Sequence, residues 1–286
     1  MTSARSLGPI AIGGVGGSGT RIVAQIVNTT GVAIGEDLNQ SADNLAYTFL
    51  FCRPEVLQLS SRALESRLQL FEKVMRQRKL SDQERGDVCR LAKTISIEGL
   101  ATNPDWLRQR AAKLLNGHND RNTADSHRTW GWKEPNTHIM LDKLTPIFPD
   151  LKYVHVIRNG LDMAFSNNLN QVRLWGPRMF GMEFNSPGPR EALEYWVKSN
   201  SRALALGRAK ECDFFELHFE TLCAEPIRTV ERLLDFIGIE NAHDQAKKLS
   251  TRIHPPASIG RFRKHDLRNF NGNDIECVAS MGFQTI

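Results

Sequence analysis

Five glycines fall within residues 13–21, which read GGVGGSGTR. An apolar run at 9–12 precedes them and a mostly apolar run at 22–27 follows, so the sequence predicts a strand, a glycine loop and a helix. Backbone N–H groups and a hydroxyl at such a helix start can bind a phosphate. The residues expected to make these contacts are Gly16, Gly17, Ser18, Gly19, Thr20 and Arg21.

Three kinds of phosphate site fit this loop. Residues 14–19 satisfy G-x-G-x-x-G, and Glu36 or Asp37 lies near the distance expected of a ribose-binding acid, as in a dinucleotide site. A Walker A loop would need a lysine where Thr20 stands, so a kinase would lack its usual phosphate clamp. A site for one terminal 5′-phosphate needs only residues 18–20 at the helix start.

A second motif, VIRNGLDMAFS at 156–166, begins at the end of a predicted strand and continues into a helix. Arg158 is expected at the carboxyl edge of the sheet, and Ser166 follows eight residues later. An arginine and a hydroxyl that meet at this edge could bind a second phosphate.

Together the two motifs resemble those of the sulfotransferase family, which uses 3′-phosphoadenosine-5′-phosphosulfate (PAPS) as sulfonate donor. In that family a P-[KR]-S-G-T-T loop binds the 5′-phosphosulfate, and the arginine and serine of R-x-P-x-D-x-x-x-S bind the 3′-phosphate. Residues 16–21 stand in place of the first motif, and the spacing of Arg158, Asp162 and Ser166 matches the second. The resemblance implies PAPS as co-substrate and no metal.

Three further segments, 130–136, 218–226 and 259–264, also resemble the family, so the likeness extends over about residues 8–265, except for the helical stretch at 55–128. The last segment resembles a late glycine-and-arginine loop that closes over the donor, which implies donor contacts from Arg261 and Arg263. Trp175, Phe165, Phe262 and Trp196 are aromatic residues available to adenine, and none is assigned.

The chain departs from the family at Gly17, where a lysine or arginine normally bridges donor and leaving phosphate. Arg21 and Lys133 are candidate replacements. We favour Lys133, because residues 133–135 predict a strand-end turn that faces the same cleft.

In several branches of the family, a glutamate after the second strand is the general base. Asp37 is the first candidate here by alignment and Glu36 the second, with Asp37 as a helix cap the simpler alternative. His138 is a further candidate base. The residues that could hydrogen-bond a hydroxylated acceptor are Asn39, Asp43 and Asn44.

Strands that alternate with helices predict an α/β fold with a parallel β-sheet flanked by helices, similar to P-loop NTPases. We expect a single domain over 1–286 with a helical insertion at about 55–128. Within it, residues 81–84 predict a capping box and Asn103 an N-cap. The other predicted strands are 31–35, 152–157 and 213–219, and the other predicted helices begin near 160 and cover about 191–209 and 226–236.

The net charge of +5 and the pI of about 9.0 favour an anionic partner. We expect no nucleic-acid partner, because there is no basic tail. The five cysteines are scattered without metal-ligand spacing, which indicates a reducing compartment and no zinc. The absence of a signal peptide and of a long apolar run predicts a cytoplasmic protein.

The function predicted from these observations is transfer of sulfonate from PAPS to a hydroxyl or amine of a small-molecule, glycan or lipid acceptor. The alternatives are a nucleotide-dependent kinase, an NAD-dependent oxidoreductase and a non-catalytic nucleotide-binding module. Gly17 is the feature that keeps the last alternative open.

Overall fold

In the part of the chain that the structure describes, four parallel strands form one sheet in the order β2–β1–β3–β4. They are β1 (Ile10–Gly13), β2 (Gly131–Lys133), β3 (Lys152–Ile157) and β4 (Asp213–His218). The computed structural model describes residues 8–95, 103–116, 129–209 and 212–286. Because β1 and β3 are the two central strands, the glycine loop and Arg158 follow neighbouring strands at one edge of the sheet. The predicted α/β class is confirmed.

Helices cover both faces of the sheet. In chain order they are α1 (Thr20–Thr29), α2 (Leu45–Phe51), α3 (Ser61–Met75), α4 (Asp82–Lys93), α5 (Pro104–Asn116), α6 (Leu141–Leu144), α7 (Gly160–Ala164), α8 (Asn170–Phe180), α9 (Pro189–Arg208), α10 (Phe219–Ala224), α11 (Pro226–Ile237), α12 (Ala242–Ser250) and α13 (Gly272–Ser280). Short 3-10 helices occupy Pro54–Gln58, Pro135–Met140 and Arg261–Lys264. Within the described ranges, no helix has both the length and the apolar character needed to cross a bilayer.

The two central strands are buried on both faces, as parallel strands between helical layers must be. Ile10 and Ile12 point into one core, which also contains α1 and α11 residues, whereas Ala11 points into the other. In β3 the same alternation places Val154 in the first core and Tyr153 in the second. The sheet therefore separates two hydrophobic layers and fixes the positions of both phosphate motifs.

Helices α3, α4 and α5 lie in the region where the insertion is predicted, and α2 precedes it. The capping box of α4 is present, with Ser81 and Glu84 bonded reciprocally, and Asn103 caps α5. Leu68 and Phe71 of α3 share a core with Trp132 of β2. The expected end of the insertion near residue 128 lies outside the described residues.

The strand predicted at 31–35 is wrong. Among the described residues, the segment makes a single bridge, from Ala33 to Trp130, and no extended ladder. Gly31 and Gly35 have φ angles of 93° and 105°, so the backbone turns away from strand geometry on both sides of that bridge. The other predicted strands agree with the structure to within a residue or two.

Candidate functional site

The loop between β1 and α1 depends on its glycines. Gly14, Gly17 and Gly19 have φ angles of 148°, 99° and 100°, values that residues with a Cβ rarely adopt. A Cβ on Gly19 would also lie 2.2 Å from the Phe219 ring. The loop can therefore follow this path only with glycine at these points.

Neighbouring elements hold the loop in place. The Gly16 N–H donates to Gln171 Oε1 at 2.9 Å, and Gln171 Nε2 donates to the Gly14 carbonyl at 3.4 Å. On the other side, the Gly14 N–H donates to the carbonyl of Pro135 at 3.1 Å. The loop is thus clamped between the start of α8 and the segment after β2.

The start of α1 has the properties of an anion site. Its N-cap is Gly19, and no side chain of the described residues caps the helix, whose first turn holds no acidic residue. Ser18 is 1% exposed, and within the described part of the chain its Oγ has no hydrogen-bond partner. Free N–H groups, the helix dipole and an unpaired hydroxyl together suit a phosphate or phosphosulfate oxygen.

Arg158 reaches this loop from the end of β3. Its Nη1 donates to the Gly17 carbonyl at 3.4 Å and its Nη2 to Ser258 Oγ at 2.8 Å, while the guanidinium lies 5.1 Å from the centre of the Phe219 ring. Its Nε has no partner among the described residues. Burial lowers the pKa of the guanidinium from its ordinary value, although Glu220 opposes the shift. A buried arginine with an unused donor is suited to bind an anion.

The rest of the second motif converges on the same loop. Ser166 Oγ lies 4.0 Å from the position that a Cβ on Gly17 would take. Asp162 accepts hydrogen bonds from the N–H groups of Gly260 at 2.7 Å and Phe262 at 3.1 Å. The two motifs are therefore adjacent in space, and Asp162 ties the late loop to them.

Other predicted donor ligands lie at the margin of this arrangement. Arg261 donates to the carbonyls of Phe165 and Ser258, beside the Arg158 motif. Arg263 instead reaches Gln284, and Arg21 is exposed on α1.

The aromatic candidates for adenine differ in exposure. Trp175, Trp196 and Phe262 are buried in the core. Phe165 is partly exposed and stacks on His265, with ring centres 3.9 Å apart.

A cleft of about 820 Å³ opens on the Gly16 side of the loop. Its wall is rich in amides and carries two carboxylates. The amides belong to Asn39, Asn136, Asn168, Asn170, Gln171 and Asn185, and the carboxylates to Asp43 and Glu134. Arg158 does not line this cleft, so the glycine loop separates the anion-binding features from an adjoining polar space.

Lys133 is positioned by the end of β2 and is 2% exposed. Its ammonium forms an ion pair with Asp43 and donates to the Ser41 carbonyl at 3.0 Å. Its own carbonyl accepts the N–H of Asn44 at 2.7 Å. The predicted cation thus lies beside the cleft, and its charge is shared with Asp43.

The structure places Asp37 in a different environment. Arg110 contacts both of its carboxylate oxygens at 2.6 and 2.7 Å, and Lys113 contacts one at 2.6 Å. Asp37 and Glu36 line a second cleft of about 710 Å³, between the 33–37 segment and helices α3 and α5. Asp37 therefore joins the sheet side of the molecule to the insertion.

His138 is 1% exposed and packs in the core, where burial lowers its pKa to about 3. The Pro135 carbonyl lies 2.8 Å from its Nδ1. An imidazole in such a place remains neutral.

Two contributions to the site were missed in the sequence. Gln171 is the amide that clamps the loop, and Phe219 fills the space that Gly19 leaves open while it stacks on Arg158. No motif marks Gln171. The position of Phe219 directly after β4 is a signal that could have been used, because strand ends at one edge of a parallel sheet face the same site.

A parallel sheet with a glycine loop after β1 and an arginine after β3 defines a P-loop-like α/β fold. The sequence model of the sulfotransferase family matches residues 9–244, and the chain belongs to that family. It is accordingly a transferase of the sulfotransferase class. No curated protein sequence matches the chain.

The first of the following three similar structures supports this fold. The sulfotransferase domain of the Synechococcus PCC 7002 olefin synthase aligns over 97% of this chain and 96% of that chain, with 18% identity and a TM-score of 0.51. The sulfotransferase domain of the curacin biosynthetic pathway aligns over 97% and 98%, with 14% identity and a TM-score of 0.47. Sulfotransferase STF1 of Mycobacterium tuberculosis H37Rv aligns over 87% and 72%, with 18% identity and a TM-score of 0.43.

Proposed function

We propose that this protein transfers sulfonate from PAPS to an acceptor by in-line displacement. The observation that carries the proposal is the convergence of Arg158, Ser166 and the Ser18–Thr20 helix start around Gly17. Two anion-binding sets on neighbouring strand ends fit a nucleotide with phosphate groups at both its 3′ and 5′ positions. A kinase or an NAD-dependent oxidoreductase would have no use for the second anion-binding set, which consists of Arg158 and Ser166.

Each set has a separate task in this proposal. The N–H groups at the start of α1, together with Ser18 and Thr20, bind the 5′-phosphosulfate end, where charge develops as sulfonate leaves. Arg158 and Ser166 bind the 3′-phosphate, with Arg261 and Arg263 as further donor ligands. Lys133 remains the proposed replacement for the cation that Gly17 cannot supply. The general base predicted from the family is Asp37 or Glu36.

The polar cleft beside Gly16 is the proposed acceptor site. Amide side chains donate and accept hydrogen bonds at once, which suits neutral hydroxyl groups. The many amides in the wall therefore favour a hydroxylated acceptor, such as a sugar, over an apolar one. Phe184 and Leu174 add apolar surface to the same wall.

Thermal melting with 3′,5′-adenosine bisphosphate, ATP plus magnesium, and NAD tests the donor site. A bisphosphate concentration near 100 times Kd should stabilise the protein by about 2.7 kcal/mol, a shift of several degrees. Arg158→Ala should lose most of that shift, because a charge-assisted hydrogen bond contributes about 1.5–3 kcal/mol. The control is Arg228→Ala, since Arg228 is an exposed arginine on α11.

Each alternative has its own outcome. A shift with ATP or NAD but not with the bisphosphate would assign the loop to a kinase or an oxidoreductase. Binding of the bisphosphate without release of it from PAPS, with any acceptor, would make the protein a non-catalytic binding module.

A further inference from the structure

The two carboxylates of the acceptor cleft differ in their partners. Asp43 is ion-paired with Lys133 and accepts a hydrogen bond from Asn39 Nδ2 at 2.8 Å. Glu134 accepts from the N–H of Asn136 at 2.6 Å and from Asn136 Nδ2 at 2.8 Å. Asp43 therefore forms an ion pair with a cation, whereas the described hydrogen-bond donors to Glu134 are neutral groups, namely the two amides of Asn136 and the Cys52 thiol.

Glu134 is held rigidly where the cleft wall meets the glycine loop. It follows β2 directly and is 4% exposed, and its neighbour Pro135 accepts the N–H of Gly14. The amide of Asn136 that binds Glu134 is itself anchored, because its oxygen accepts from Trp175 Nε1 at 2.8 Å. A carboxylate fixed in this way does not need to reorganise during a proton transfer.

A capping role alone does not account for Glu134. Its side chain caps the 3-10 helix Pro135–Met140 through the N–H of Asn136. The cap uses one carboxylate oxygen, and the other oxygen accepts from Asn136 Nδ2. Capping does not explain a buried ionisable group in the wall of a polar cleft, next to a second carboxylate.

We propose that Glu134 is the general base that takes the proton of the acceptor hydroxyl, and that Asp43 and Lys133 position it. This proposal rests on the sulfonate transfer proposed above. The acceptor oxygen forms the new O–S bond while its O–H bond breaks and the proton passes to a Glu134 carboxylate oxygen. The bond between sulfur and the 5′-phosphate oxygen breaks, and its electron pair leaves with 3′,5′-adenosine bisphosphate. Glu134 then returns the proton to water in the cleft.

The electrostatics around Glu134 suit this role. Burial, and after it the Asp43 charge, raises the pKa of Glu134 to about 7, although the Asn136 hydrogen bonds and Lys133 act in the opposite direction. A base whose pKa lies near the working pH is effective. The ionisable groups around it are Asp43, Lys133, Cys52, Tyr47, Tyr153 and Tyr195, and Arg173 lines the same cleft.

The test is the pH dependence of bisphosphate release from PAPS, with methyl glucoside as probe acceptor and water as the second. In the wild-type protein the rate should rise as pH approaches about 7 and level off above it. The rising part of this pH–rate profile is called the limb. Glu134→Gln should abolish the limb and lower the rate about 10²–10⁴-fold, with bisphosphate affinity unchanged. Glu194→Gln, which removes an exposed carboxylate paired with Lys198 on α9, is the matched control.

A Glu134→Gln protein that binds bisphosphate and keeps both the rate and the limb would overturn the proposal. If that variant melts far below the wild type, the pH dependence of the Asp43→Asn variant provides the test instead. It removes one negative charge and frees Lys133, both of which lower the pKa of Glu134, so the limb should move to lower pH. An unmoved limb in Asp43→Asn counts against Glu134.

Asp37→Asn is made in parallel, because it removes the base predicted from the family. Loss of the limb in Asp37→Asn but not in Glu134→Gln would assign the base to Asp37 and overturn the proposal. Absence of bisphosphate release by the wild-type protein would instead remove the proposed function itself. These two failures are therefore distinguishable.

Discussion

At the scale of single residues, Gly19 and Gly31 share a left-handed backbone but differ in their surroundings. Their φ angles are 100° and 93°. A Cβ on Gly19 would meet Phe219 at 2.2 Å, whereas a Cβ on Gly31 would meet no described atom within 4 Å. Alanine substitutions at these two glycines therefore distinguish the cost of a strained backbone from the cost of a steric clash.

We expect Gly31→Ala to lower the free energy of unfolding by about 1–2 kcal/mol, the cost of a left-handed backbone with a Cβ. Gly19→Ala should cost more, because Phe219 must also move, and it should abolish bisphosphate binding. Chemical denaturation and calorimetric titration measure the two effects. Equal unfolding free energies in the two variants, with binding retained in both, would show that Phe219 does not confine the loop.

The sequence predicted single-residue positions well where a strand end fixed them. Arg158 directly follows the six-residue strand β3, and its place at the sheet edge is as expected. The surroundings of Asp37 were not predictable, because its partners Arg110 and Lys113 lie 73 and 76 residues away on α5. A contact over such a distance depends on how the insertion packs, which no local pattern encodes.

At the scale of elements, the late loop 258–264 is attached to the second motif through Asp162. This carboxylate is 1% exposed and accepts two backbone N–H groups, from Gly260 and Phe262. Ser258 adds a third link, because its hydroxyl accepts from Arg158. The loop that carries Arg261 is thus positioned by the same segment that would bind the 3′-phosphate.

Asp162→Asn should loosen this loop, because an amide has only one acceptor oxygen for two N–H donors. We expect faster hydrogen exchange at Gly260 or Phe262 and bisphosphate affinity lower by about 10-fold, as for one lost charge-assisted bond. Asp142→Asn, at an exposed pair with Arg202, is the control. Unchanged exchange in Asp162→Asn would mean that the loop is held by its other contacts.

Elements were predictable where hydrophobic pattern and caps agreed, as in β3 and in α4 with its capping box. The segment 31–35 has the composition of a strand, but the glycines at its ends turn the backbone, so only Ala33 pairs. The amide-rich cleft could not be predicted, because its wall combines residues from the 39–43 segment, the segment after β2 and the region around α8.

At the scale of the whole molecule, two buried histidines connect stability to pH. Burial, the largest cause, lowers the pKa of His138 to about 3 and that of His155 to about 4. His155 is held between Tyr153 and Asn200, at 3.1 and 2.9 Å. Both histidines are therefore neutral in the folded protein at pH values where the unfolded chain binds protons.

The sign of the effect follows from linkage. A histidine with a depressed folded pKa contributes stability above its unfolded value of about 6.5, and this contribution is lost as pH falls toward the folded value. Between these limits each histidine contributes a slope of about 1.4 kcal/mol per pH unit. The pKa of Glu134 is raised in the folded protein, so between pH values of about 4.5 and about 7 this group contributes a slope of the opposite sign. Its slope offsets that of one of the two histidines.

The free energy of unfolding should therefore fall as pH is lowered from about 6.5 to about 5. In His155→Gln this slope should be smaller, because one titrating group is removed. His243→Gln, at an exposed histidine near Glu231, should leave the slope unchanged. Urea denaturation at several pH values provides the comparison. An unaltered slope in His155→Gln would show that His155 does not contribute to this pH dependence.

Gly17 has a consequence for the history of this chain. Its φ angle is 99°, and a Cβ there would lie 3.3 Å from Met163 Cε. A lysine in place of Gly17 would therefore have a strained backbone, and its side chain would be crowded against Met163. A cation at this position therefore requires relief of the backbone strain and a small shift of the Met163 side chain. Sequences closely related to this chain should therefore show change at Lys133 or Arg21 more often than at Gly17.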